Sequence, residues 1–188
     1  FALVRYNTDG SLDTSFGVDG KVTTAFGVTA RAYSVAIQPD GKIVAAGQTS
    51  PDVFTLVRYE SNGTLDTTFG DGGAVTTAFG VNNARAHSVA LQPDGKIVAA
   101  GFRVSAAGDS QYIGLVRYNT NGSLDTTFGD GGAVATAFGV AARALSVALQ
   151  SDRKIVVAGF SDNNGDGTLN FALVRYESNG TLDTTFGD

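Results

Sequence analysis

One phrase written four times constrains this chain more than anything else in it. FALVRYNTDGSLDTSFG at residues 1–17 returns as FTLVRYESNGTLDTTFG, IGLVRYNTNGSLDTTFG and FALVRYESNGTLDTTFG. A second phrase, ARAYSVAIQPDGKIVAAG, returns as ARAHSVALQPDGKIVAAG and ARALSVALQSDRKIVVAG. Leu3, Leu56, Leu115 and Leu173 mark the period, 53, 59 and 58 residues apart. From the first three of these to Gly27, Gly80 or Gly139 is always 24 residues, and from Arg31, Arg85 or Arg143 to Gly47, Gly101 or Gly159 always 16. Nearly all the variation falls between that second glycine and the next leucine, at 9, 14 and 14 residues. A fixed frame with one variable loop per unit is the mark of stacked repeats. The chain reads as one array, with repeats at 1–53, 54–112 and 113–170 and a partial repeat at 171–188.

Each repeat spells four strands. SVAIQ and KIVAAG flank the tight turn Pro39-Asp40-Gly41, with β-branched residues favouring extended chain. FALVRY is a third strand, presenting Phe1, Leu3 and Arg5 on one side and Ala2, Val4 and Tyr6 on the other. SLDTSFG is expected to be a single helical turn, capped by Ser11, with Leu12 and Phe16 on one face and Gly17 ending it. GKVTTAF then supplies the fourth strand, unless SLDTSF is itself that strand.

A four-stranded sheet of this size cannot bury both faces alone. Neighbouring sheets must cover them, each buried Phe or Leu contributing roughly 1.5–3 kcal/mol. The expected fold class is therefore all-β, with propeller blades of four-stranded antiparallel sheets in about three and a half repeats. A β-solenoid or an open arc of sheets is the alternative. Propellers typically need at least four blades. Closure then requires a larger ring, several copies in a homo-oligomer, or the rest of a longer chain. The duplicated half-repeat offers a route to exchange between chains. The absence of any Met, and a first residue already inside a strand, lead to the expectation of a piece of something longer.

Composition excludes several function classes. The net charge of −5 without Lys/Arg clusters argues against nucleic acid and anionic membrane as partners. With no Cys there is no thiol nucleophile and no zinc–thiolate site. No apolar run reaches the ~18 residues of a membrane span.

The RYNTDGSLDTSFG and VALQPDGKIVAAG phrases resemble the bacterial delta-60 repeat along the whole chain. More distantly, the hairpin with its Asp-Gly turn looks like other propeller repeats such as NHL. The resemblance implies a propeller and a surface or extracellular setting, and brings no catalytic residues with it. Repeat three departs from the pattern, with Ser151-Asp152-Arg153 in place of Pro-Asp-Gly, so a different turn is expected there.

Three groups of residues are candidates for chemistry. Asp162-Asn163-Asn164-Gly165-Asp166-Gly167 matches the start of a calcium loop, with Asp162, Asn164 and Asp166 as oxygen ligands. Its twelfth position is Leu173 rather than a bidentate Glu, so it is no EF-hand, and a solvated turn-rich loop is the competing reading. Arg5, Arg58, Arg117 and Arg175 recur with Asp13, Asp66, Asp125 and Asp183, as a strand-to-turn clamp or as a series of anion sites. Tyr33, His87 and Leu145 differ at one fixed address beside a constant Ser-Val-Ala, which makes Tyr33 and His87 candidate ligand-binding residues. His87 is the single His, and no G-x-S-x-G elbow or Walker motif supplies it with a partner.

Two functions fit. One is a non-enzymatic scaffold at the cell surface or outside the cell, presenting segments 48–53, 102–112 and 160–170 to protein or carbohydrate. The other is a hydrolase of esters or polysaccharides, with its site at the propeller channel or in those loops.

Overall fold

The computed structural model describes residues 1–78 and 83–187. Gly80, one of the spacing markers, lies outside the described residues. The described residues contain no helix and thirteen strands. They are β1 (Ala2–Val4), β2 (Lys21–Thr23), β3 (Ala30–Ile37), β4 (Ile43–Thr49), β5 (Val53–Tyr59), β6 (Ala74–Thr77) and β7 (Ala84–Leu91). They continue as β8 (Ile97–Val104), β9 (Gln111–Tyr118), β10 (Ala133–Thr136), β11 (Ala141–Leu149), β12 (Ile155–Asp162) and β13 (Asn170–Tyr176).

These strands form β-propeller blades. The first complete blade is the antiparallel sheet β3-β4-β5-β6, and β7-β8-β9-β10 repeats it. β11-β12-β13 forms a three-stranded blade, joined to the second by one parallel bridge between Ala141 and Gln111. β1 and β2 pair as a leading half-blade. The hydrogen-bonded units therefore begin at the ARA strand, whereas the repeats at 1–53, 54–112 and 113–170 are counted from the FALVRY phrase.

The core lies between blades. Val44, Ala46, Phe54 and Leu56 of the first blade pack on Ala84, Ala86, Ile97, Ala99, Val116 and Tyr118 of the second. One step on, Val98, Ala100, Ile113 and Leu115 pack on Ala142, Ala144, Ile155, Val157, Val174 and Tyr176. Phe1 and Phe16 cover Ile43, Ala45, Val57 and Tyr59 in the same manner. Each blade thus has a forward face that fits the rear face of the next. Both faces of β4 and β5 are apolar because both are covered.

Three expectations need correction. The SLDTSFG segment is a turn but not a helical one capped by Ser11. Its one internal backbone bond runs from Phe16 N–H to the Asp13 carbonyl (3.0 Å), and Asp13 caps it by accepting the Ser15 N–H (3.0 Å). Ser11 is held instead by the Asp9 carboxylate, while Leu12 bridges back to Tyr6. One turn cannot meet the cost of helix nucleation, and the Gly17 N–H is drawn to Asn62 of the next repeat.

The variable loops are also shorter than expected, at 50–52, 105–110 and 163–169, because strand pairing continues to Thr49↔Val53, Val104↔Gln111 and Ser161↔Asn170. Finally, the Ser151-Asp152-Arg153 turn does not differ. Arg153 N–H bonds to Gln150 and Gln150 N–H to Lys154, as Gly41 and Gln38 do in repeat one. Arg153 takes the left-handed φ of 71° where Gly41 has 86° and Gly95 has 84°.

Candidate functional site

Register gives every sheet two unlike ends. At one, β3 runs into β4 through the Pro-Asp-Gly turn and Ile43 lies opposite Tyr59. At the other, β4 passes to β5 through the variable loop, beside the start of β3.

The constant end is closed by an ion-paired clamp. Arg58 Nε donates to Asp66 Oδ2 at 2.7 Å, and Arg117 and Arg175 do the same to Asp125 and Asp183. The guanidinium of Arg58 lies 4.5 Å from the centre of the Phe69 ring, and Arg117 stacks likewise on Phe128. The other carboxylate oxygen of Asp66 takes the N–H and hydroxyl of Thr68. Burial alone would raise the Asp66 and Asp125 carboxyls, but the ammonium of Lys42 or Lys96 and the threonine donors hold both well below the usual carboxylate range.

The clamp also crosses between blades. Arg58 Nη1 reaches the Thr120 carbonyl and Arg117 Nη1 the Ser178 carbonyl, both at 2.5 Å. Donors and acceptors are consumed within the array, so the Arg–Asp series is structural. Sequence reasoning missed its third member, Lys42, Lys96 and Lys154, each 2.8 Å from the carboxylate. The constant Lys after each turn was the available signal.

The variable end holds Tyr33 and His87, which the structure brings together. The β3–β4 register slips between Ala32 and Ser34, β7–β8 between Ala86 and Ser88, and β11–β12 between Ala144 and Ser146. Tyr33, His87 and Leu145 are therefore the extra residues of three equivalent β-bulges. A bulge presses the carbonyl of Arg31, Arg85 or Arg143 against the partner strand. A Cβ on Gly101 would sit 1.8 Å from the Arg85 oxygen, which is why Gly47, Gly101 and Gly159 lie at a constant distance from those arginines.

Side chains then run from blade to blade. The Tyr33 and His87 rings meet edge to face, with centroids 5.4 Å apart, and His87 lies 5.5 Å from Phe102. His87 Nδ1 is 3.1 Å from the Ala144 carbonyl; a carbonyl only accepts, so Nδ1 carries the proton and Nε2 the lone pair. Burial, opposed by that bond and assisted by Arg143 and Arg85, lowers the His87 pKa, leaving a neutral imidazole near pH 7. Tyr33 Oη donates to Gln48, whose amide donates to Asp52, and Asp52 pairs with Arg85 at 2.8 Å. Arg143 lies over Phe102 at 4.4 Å and donates to Gln111. The resulting surface has the Tyr33 and His87 ring edges, two guanidiniums and the half-buried Gln111 amide, and can hold a polar ligand.

The candidate metal residues sit at the same end. Asp162 closes β12, and its carboxylate accepts the N–H groups of Asn164 (3.2 Å), Gly165 (2.7 Å) and Gly167 (3.0 Å). Asp166 accepts the Thr168 N–H at 2.8 Å. Both acids thus organise the loop backbone. Among the described residues, no group of three or more His, Cys, Asp or Glu is disposed to hold a metal ion.

A family described as "Domain of unknown function (DUF5122) beta-propeller" matches residues 1–16, 38–69, 92–128 and 150–186. The chain belongs to this family. Residues 1–16 hold the Arg5–Asp13 clamp, and each of the other three matched segments runs from the three-residue turn through the variable loop to the next Arg–Asp clamp of the DUF5122 propeller. The unmatched stretches 17–37, 70–91 and 129–149 contain Tyr33, His87 and Leu145. No curated protein matches the chain. Among the described residues no helix is long and apolar enough to cross a membrane.

Proposed function

We propose that this chain is a non-enzymatic, delta-60-type scaffold at the bacterial surface or outside the cell. Its variable end binds protein or carbohydrate. The observation that carries this reading is the sorting of each blade into a constant end and a variable one. The constant end spends its charged groups on holding blades together. The variable end carries the loops 50–52, 105–110 and 163–169 and the bulge residues Tyr33, His87 and Leu145, which differ at one address. Loops held by a rigid frame are where binding residues concentrate. An Arg-rich surface with aromatic edges suits ligands with many hydroxyls or carboxylates. The extracellular placement is supported by the repeat resemblance alone.

The test is a glycan array and a panel of purified surface polymers, probed with the chain and two variants. One variant is Tyr33→Ala/His87→Ala; the other has residues 105–110 replaced by a short Gly-Ser turn. Binding that falls at least tenfold in both variants, with unchanged melting, supports the reading. Binding indifferent to both, or ester or polysaccharide hydrolysis lost in His87→Ala, would overturn it.

A further inference from the structure

The seams between blades share a frame but not a charge. At the constant end of the first seam, Lys42 sits between two carboxylates, 2.8 Å from Asp66 and 2.6 Å from Glu60. Lys154 is bound in the same way by Asp183 and Glu177. Lys96 has Asp125 alone among the described residues, at 2.8 Å. At the glutamate's address its repeat carries Asn119, whose amide nitrogen is spent on Ser123 and the Leu124 carbonyl. An ammonium has three donors, and Lys96 therefore keeps two without a protein acceptor.

The facing wall changes in the same sense. The third blade sets Arg153 there, where the second blade sets Gly95 in the first seam. Arg153 is exposed, and its guanidinium meets no acceptor among the described residues. Its backbone holds φ 71°, which glycine would adopt without strain. Strain of that kind concentrates where a side chain is used. Around the first seam two cations, Lys42 and Arg58, meet three carboxylates, Asp40, Glu60 and Asp66. Around the second, three cations, Lys96, Arg117 and Arg153, meet two, Asp94 and Asp125. Glu177, next to Ser178 of the facing wall, is itself held by Lys154.

Between these walls lies a cavity of about 380 Å³, lined by Gln92, Asp94, Lys96, Thr127, Arg153 and Asn179. Gln92 is 9% exposed, and its Oε1 has no donor. Its counterpart Gln38 lacks one too, so this acceptor is common to both seams and the added positive charge belongs to the second alone. We propose that the cavity between the second and third blades binds the phosphate group of a hydroxylated small molecule, held by Lys96 from one wall and Arg153 from the other. The oxygens of a phosphate diverge tetrahedrally and can meet donors on two walls, whereas those of a carboxylate lie in one plane and suit a single fork. The cavity is of small-ligand size and leaves room beyond the phosphate for the rest of the molecule. There Gln92 Oε1 offers an acceptor to a hydroxyl. This site lies at the opposite end of the blades from Tyr33 and His87 and is independent of what the variable end binds.

The experiment is isothermal titration of the full chain, in phosphate-free buffer of low ionic strength, with glucose 6-phosphate, inorganic phosphate, glucose and glucuronate. Two variants accompany it, each copying another repeat of the same chain so that the fold is kept. Arg153→Gly restores the residue of the first two turns, and Asn119→Glu gives Lys96 the second carboxylate that Lys42 and Lys154 have. The expected result is one glucose 6-phosphate per chain, weaker binding of inorganic phosphate and none of glucose. Either substitution should weaken the binding about tenfold or more, with melting unchanged or raised. Amide chemical shifts of the unmodified chain should move at Gln92, Lys96, Arg153 and Asn179. No binding of glucose 6-phosphate, binding indifferent to both substitutions, or glucuronate bound as tightly would each overturn the proposal. Shifts confined to Arg85 and Arg143 would overturn it too, and would place the ligand at the variable end.

Discussion

Replacing Arg153 with Gly should stabilise the protein, although it removes a long side chain and a charge. The three Asp-containing hairpins share one backbone turn, but only the third places a residue with a Cβ in the left-handed region, at φ 71°. That conformation costs an L-residue about 1–2 kcal/mol. Glycine removes this cost but adds about 0.5–1 kcal/mol through the freedom it gives the unfolded chain. The net gain for Arg153→Gly is about 0.5–1 kcal/mol, a rise in Tm of about 1–4 °C for a chain of this size. The converse change, Gly41→Ala, should cost about 1 kcal/mol, since a Cβ there meets only Ser61 at 3.4 Å and strain is the main term. Gly95→Ala should cost more, because its Cβ would come within 2.8 Å of Thr120. Thermal and urea denaturation of the three variants side by side gives the ranking. An Arg153→Gly protein that melts at or below the parent would refute the reasoning. It would mean that the Arg153 side chain, which borders a groove with Gln92 and Asp94, contributes more than its backbone costs.

Other consequences follow from the clamp, the bulge and the loop. Asp125→Ala should lower stability by about 3–5 kcal/mol, since it strands buried Arg117, whereas Asp13→Ala in the more exposed half-blade clamp should shift the urea midpoint far less. The depressed carboxyls of Asp66, Asp125 and Asp183 contribute stability that is complete above the ordinary value of about 3.9 and is lost as pH falls below it. Denaturation midpoints should therefore drop steeply in acid. His87, with its pKa lowered, leaves the unfolded chain binding more protons below about pH 6.5, so stability should decline there. Putting the third repeat's residue at this address, His87→Leu, should flatten that part of the profile. Gly101→Ala should cost about 1–3 kcal/mol by forcing the bulge open, and should separate the Tyr33 and His87 rings, read as a changed imidazole NMR shift. Because Asp162 is occupied by three backbone donors, adding Ca²⁺ or EDTA should leave Tm unchanged, while Asp162→Ala should open loop 163–169 to proteolysis.

Much of this was legible in the residues. The period, the four strands and the three-residue turn follow from spacing and local chemistry, because a strand's period of two and a turn's need for Asp and Gly act over a few residues; the Arg–Asp pairs were visible too, with clamp and anion site both open until the structure showed their partners. Variation at one address also singled out Tyr33 and His87, without saying why that address is special. The reason is the bulge, for which a constant glycine inside a strand is the only trace in the sequence. The turn at Ser151-Asp152-Arg153 shows the limit in the other direction. Local preference argued for a change, and the surrounding pairs, Gln150 with Lys154 and Lys154 with Asp183, hold the turn in the strained form.

What only the tertiary structure decided is non-local. Near-identical repeats cannot reveal which face of a blade meets which neighbour, since every copy offers the same two apolar faces. Nor can they show that Tyr118 Oη lies 2.7 Å from Thr77 of the preceding blade, or that Arg58 reaches Thr120 of the following one. Those contacts join residues more than 40 positions apart, and they exist because each sheet can bury its apolar faces only against another copy of itself.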